Sequence, residues 1–161
     1  MEYTICVLHT LLLKRYELYN AQISGEAEIF GGAEVYGCAH VCGHAQVSDD
    51  AKVYGNVQVR DKAVINECAH ISANAKVYGN VKVYGNAEVS DKAEVCDDTK
   101  IHGYAYVGGL SKVYENAEVA GKAWIRYRDK VGGNGLIEDD NIPAPIPEEP
   151  SKVDFYMGKE C

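Results

Sequence analysis

Between Ala21 and Arg128 the chain repeats a six-residue pattern of apolar and polar positions. A small apolar residue is followed by a polar one, a branched apolar one, and three positions of mixed character. Ala75-Lys76-Val77-Tyr78-Gly79-Asn80 is one copy among eighteen that run on without a gap. The third position is Val or Ile in all eighteen, from Ile23 to Ile125, and the first is Ala in fourteen. The other first positions are Val57, Val81, Thr99 and Ser111. An apolar–polar–apolar opening has the period of a strand, so each phrase predicts a short strand with positions one and three facing in. Position two is mostly polar (Gln22, Glu28, Glu34, His40, Gln46, Lys52) and is expected to face water.

Position five is Gly in ten copies and Asp in four, residue types that tolerate the left-handed backbone a corner demands. The phrase therefore reads strand, corner, strand, corner. A strand this short cannot bury its inner face alone, so successive turns must stack into a solenoid.

The wording of the phrase, with Val-Tyr-Gly-Asn-Ala and Val-Ser-Asp-Lys-Ala among its copies, resembles the hexapeptide-repeat family. It is closest in kind to the loop-free members found in bacteria and their phages. The resemblance covers residues 21–128, about two thirds of the chain. It implies an all-β fold, a left-handed parallel β-helix of about six triangular coils with three hexads to each coil. Residues eighteen apart should then lie above one another, in a prism about 29 Å tall at the usual strand spacing.

Residues 1–20 precede the regular phrase and are expected to cap its first turn. Ile5, Leu8, Leu12, Tyr16 and Tyr19 have helical spacing, whereas Glu17-Leu18-Tyr19-Asn20 reads as a repeat with its glycine deleted. After Arg128 the phrase breaks. Val131-Gly-Gly-Asn-Gly reads as a flexible exit, and residues 129–161 as an extended acidic tail holding all four prolines.

Charge narrows the function. The net charge is −8, with −5 of it in residues 132–161, so the body is no acidic mimic of nucleic acid. Nor does the body carry a basic stripe for phosphates, which argues against a nucleic-acid partner. Residues 21–51 hold five acids and no base, while Lys122, Arg126, Arg128 and Lys130 gather at the other end. Six scattered cysteines without a framework spacing read as reduced thiols. The apolar run Ile5–Leu13 is too short to span a bilayer, follows Glu2 with no basic segment before it and is interrupted by His9 and Thr10, so no membrane role and a cytoplasmic location are expected.

The family resemblance implies a possible trimeric acyltransferase, using an acyl-coenzyme A donor and a histidine between protomers. His40 and His70 would be the histidines to test. Against it, no loop interrupts the phrase, and His40, His70 and His102 fall on three different faces with no carboxylate placed by sequence to orient them. The cluster Cys38-Ala-His40-Val-Cys42-Gly-His44 would spread over about 20 Å of extended chain, too far for one tetrahedral metal site. No metal or cofactor is therefore expected.

The aromatic residues point elsewhere. Tyr106 and Trp124 share an outward column in adjacent coils, with Tyr104, Leu110 and Tyr127 at nearby corners. Tyr36 and Tyr54 form a second pair higher on the same face. Exposed aromatics gathered in one place mark interfaces. The leading expectation is a non-enzymatic protein-binding scaffold, such as a phage or mobile-element inhibitor of a host protein, acting through this aromatic face. The partner would be another protein, host or self, and a homo-oligomer is possible. The alternatives are the acyltransferase and an end-to-end self-assembling structural protein.

Overall fold

The computed structural model describes residues 20–138, and they form one continuous β-solenoid without a helix among them. The expected cap and most of the tail lie outside the described residues. Twenty short strands form three parallel sheets, two of seven strands and one of six. Every pairing joins residues eighteen apart, as Gln22 with His40 and Tyr106 with Trp124. We call the sheets the first face (Gln22–Ile23 to Lys130–Val131), the second (Glu28–Ile29 to Leu136–Ile137) and the third (Glu34–Gly37 to Trp124–Ile125).

Positions one and three fill the interior. Val41, Val59, Ile65, Ile71, Ile101 and Ile125 are wholly buried, alternating with small residues such as Ala39, Ala63 and Ala69. Each buried Val or Ile contributes about 1.5–3 kcal/mol, and alternation of large with small lets three faces meet across a narrow prism. Coils are joined by backbone hydrogen bonds from positions two, four and six to the coil below, the chain's start being taken as the top. Gln22 donates to the Ala39 carbonyl (2.8 Å), Ser24 to Val41 (3.0 Å) and Glu26 to Gly43 (2.7 Å).

Position five has positive φ in every copy from Gly25 to Tyr127, and again at Gly133. At four corners its amide, which has no carbonyl above or below it, is met by an aspartate one coil away. Asp49 accepts from Glu67 (3.1 Å), Asp61 from Gly79 (3.0 Å), Asp91 from Gly109 (2.8 Å) and Asp97 from Glu115 (2.9 Å). Aspartate at a corner thus does two things, tolerating the left-handed turn and capping the next coil.

The phrase also runs further than its wording shows. Lys130–Val131 pairs with Lys112–Val113, and Leu136–Ile137 with Glu118–Val119, so residues 129–138 continue the stack and are no flexible exit. Asp129 and Gly135 replace the apolar first position there, which hides the repeat. Asp129 instead turns its carboxylate back to accept the Arg126 amide at 3.1 Å.

Candidate binding face

The third face carries the aromatic residues on its lower rungs. Trp124 is the outward residue of its strand and is 50% exposed. Tyr106 lies directly above it, ring centroids 5.7 Å apart and planes tilted by 47°. The two rings are held differently. Tyr106 lies along its own strand over Gly108, where a Cβ would overlap the ring. Its hydroxyl meets Ser90 Oγ at 2.9 Å and Asp91 Oδ2 at 3.3 Å. Tyr106 is therefore an anchored floor, while Trp124 stands in solvent.

Corner residues widen the cluster on both sides. Tyr104 (65% exposed) stands at the corner leading into the face, and Leu110 (52%) and Tyr127 (70%) at the corner leading out. Tyr127 occupies a left-handed position with φ 60°, which turns its ring outward at the cost of backbone strain. Between Trp124 and Tyr127 sits Arg126, which sequence reading counted in the basic end but not in the aromatic cluster. Its guanidinium carbon lies 5.6 Å from the Trp124 ring centre and 5.3 Å from that of Tyr127. A cation shared by two exposed rings holds them in fixed orientation. The signal was available in principle: Arg126 is two residues from Trp124 and so on the same side of the strand.

Tyr36 and Tyr54 stack closely, 5.1 Å apart and 4° from parallel. They belong to the same face, but three rungs, about 14 Å at the usual spacing, separate Tyr54 from Tyr106. The structure thus places two aromatic clusters on one face. Burial chiefly, then the neighbouring Tyr54, pushes the Tyr36 phenol up from its ordinary value.

Among the described residues the histidines do not converge. His40 is exposed on the first face between Gln22 and Gln58, and His70 is half-buried on the third face between Lys52 and Glu88. Among the described residues no three His, Cys, Asp or Glu side chains are grouped to hold a metal ion. One expectation needs correction. His102 does have an orienting carboxylate: its Nε2 is 2.8 Å from Glu118 Oε1, and its ring stacks on Tyr84 at 4.8 Å. Lys100 Nζ approaches the other oxygen of Glu118 at 3.5 Å. The hydrogen bond from His102 holds the Glu118 carboxyl below its usual range. A parallel arrangement occupies the first face, where Tyr78 donates to Glu94, Arg60 lies 4.7 Å over the Tyr78 ring, and Lys112 is 3.7 Å from Glu94. Burial and that hydrogen bond push the Tyr78 phenol up, and Glu94 is drawn down.

A family model described as the YdcK beta solenoid repeat matches residues 45–61, nearly one coil. No curated protein and no solved structure matches the chain. The in-register parallel stack and this match agree on a β-solenoid repeat protein.

Proposed function

We propose that this chain is a non-enzymatic protein-binding scaffold whose docking surface is the lower third face. The observation that carries the reading is the Trp124–Arg126–Tyr127 array, held in solvent by ring–cation contacts on a rigid sheet. Tryptophan, tyrosine and arginine are the residues that dominate binding energy in protein interfaces, and presenting them already ordered lowers the entropy lost on docking. The loop-free regularity, with its likeness to hexapeptide-repeat proteins of bacteria and phages, supports a display role over catalysis. A cytoplasmic host protein is the partner this reading favours, with an inhibitor of mobile-element origin as the form it takes.

The test is capture of a partner from cell lysate by the full chain and by Trp124→Ala and Tyr127→Gly variants. Tyr127→Gly removes a ring while relieving a strained backbone, so lost capture cannot be ascribed to unfolding. A partner retained equally by both variants would remove the proposed surface.

A second reading rests on the His102–Glu118 pair. A histidine oriented by a carboxylate is the arrangement of a general base, and the acyltransferase reading would place its chemistry there instead of at His40 or His70. Retention of an acyl-coenzyme A by the chain, abolished in His102→Ala, would favour it over the scaffold.

A further inference from the structure

The third face is not uniform along its height. Its upper rungs carry Glu34, and the corner leading into them carries Asp49 and Asp50. Its lower rungs carry the Trp124–Arg126 array. The middle rungs hold His70 and, directly below it, Glu88. Six strands build this face among the described residues, so its midpoint falls between His70–Ile71 and Glu88–Val89. About that midpoint, charged groups of one half stand opposite partners in the other: Glu34, which also meets Lys52 Nζ of its own chain at 3.4 Å, opposite the Trp124–Arg126 array, and His70 opposite Glu88.

We propose that the third face is the interface of a two-fold homodimer in which a second copy packs against it upside down. The inference rests on the reading of this face as a protein-docking surface and names its occupant. The two-fold axis would lie in the interface, parallel to the strands and midway down the face. Rotation about it keeps position two opposite position two and position four opposite position four, while reversing the order of rungs. Glu34 then faces Trp124 of the second copy, where the Arg126 guanidinium leans. Tyr36 faces Arg126, gaining a cation beside its half-buried ring. Lys52 faces the Tyr106 ring, and His70 faces Glu88. Each contact occurs twice.

The opposite orientation is less favourable. An axis along the stack would set each rung against itself, bringing the acidic upper ends together and the basic lower ends together, which like charges oppose. Size is sufficient for the reversed arrangement. A face six strands tall and about six residues wide measures roughly 29 by 20 Å. Two such faces cover roughly 1,200 Å² in total, at the lower limit of specific interfaces. Among the described residues, in-register stacking leaves no inserted loop on this face to keep two copies apart.

The decisive experiment is sedimentation of the full chain together with Glu34→Arg and Arg126→Glu, alone and mixed. Both side chains are exposed and touch only surface partners, Glu34 the Lys52 ammonium and Arg126 the Trp124 and Tyr127 rings, so circular dichroism should show the fold of each variant unchanged. The wild-type chain should sediment as a dimer that weakens with salt. Each variant alone creates two like-charge contacts and should dissociate about a hundredfold more readily. The two variants mixed in equal amounts restore both Glu–Arg contacts and should form a heterodimer close to wild-type strength. A wild-type chain that stays monomeric at all concentrations overturns the dimer while leaving capture of a different protein on this face to its own test. A dimer indifferent to Arg126→Glu overturns it by assigning another face. Variants that remain apart on mixing overturn the reversed orientation and with it the proposal.

Discussion

Exchanging residues at position five should separate the cost of a left-handed corner from the cost of crowding between coils. Ala73 already holds a side chain at φ 61°, whereas Gly79 sits at φ 90° in the neighbouring copy. A left-handed backbone costs an ordinary residue about 1–2 kcal/mol, and glycine returns about 0.5–1 kcal/mol of that through its freer unfolded chain. Ala73→Gly should therefore stabilise by about 0.5–1 kcal/mol. Gly79→Ala reverses that gain and adds a collision. Its Cβ would stand 2.7 Å from the Asp97 carbonyl oxygen and 2.8 Å from the Asp97 amide nitrogen. Both are backbone atoms of the next coil, fixed by the hydrogen bond from the Asn80 amide to the Asp97 carbonyl at 2.7 Å. Relief requires spreading two coils, an overpacking cost of about 1–3 kcal/mol, so Gly79→Ala should destabilise by about 2–4 kcal/mol in all. Chemical denaturation followed by circular dichroism reads the totals. Because stacked coils need not unfold as one unit, amide exchange at Gly79, Asn80 and Glu115 should localise the damage. If Gly79→Ala proved as stable as the parent, the tight stacking that underlies the whole account would be wrong.

Three further outcomes follow from the same geometry. Asp97→Gly relieves a left-handed corner (φ 65°) by about 0.5–1 kcal/mol but removes the acceptor of the Glu115 amide at about 1–2 kcal/mol, so it should be neutral to destabilising by about 1.5 kcal/mol, with faster exchange at that amide. Glu94 and Glu118 are held below their ordinary value of 4.5, so the stability they contribute is present above that pH and lost as pH falls through their folded-state values. Melting temperature should accordingly fall below about pH 4.5, and Tyr78→Phe should flatten that fall by removing the bond to Glu94. Burial both shields the Cys96 thiol and pushes it up, so mass-spectrometric mapping of alkylation should find exposed Cys38 and Cys68 modified first and Cys96 last among the described thiols.

The fold was legible because the stack adds no offset between coils. Once positions one and three are assigned inward, counting eighteen places Tyr106 over Trp124 and Tyr36 over Tyr54, and both contacts form. Contacts that leave the column were not legible. Tyr78 with Glu94, Ser90 with Tyr106 and His102 with Glu118 all join position four to position two of the next coil, sixteen residues on. Their formation depends on how a side chain leans along its strand, which columnar counting does not contain. The same lean brings Arg126 over Trp124. Residues 129–138 were missed for a different reason: Asp129 and Gly135 break the apolar pattern while backbone pairing continues through them.

Trp124 is the single tryptophan of the chain, and it belongs to the ring–cation array of the proposed docking surface. Its fluorescence therefore reports directly on whether that surface is covered. The free chain should emit as a half-exposed indole and be readily quenched by acrylamide. Association, whether with a second copy on concentration or with a captured partner, should shift the emission to the blue and protect it from quenching. An emission spectrum and quenching constant unchanged in a demonstrated complex would show that the aromatic–arginine face is not where this protein binds.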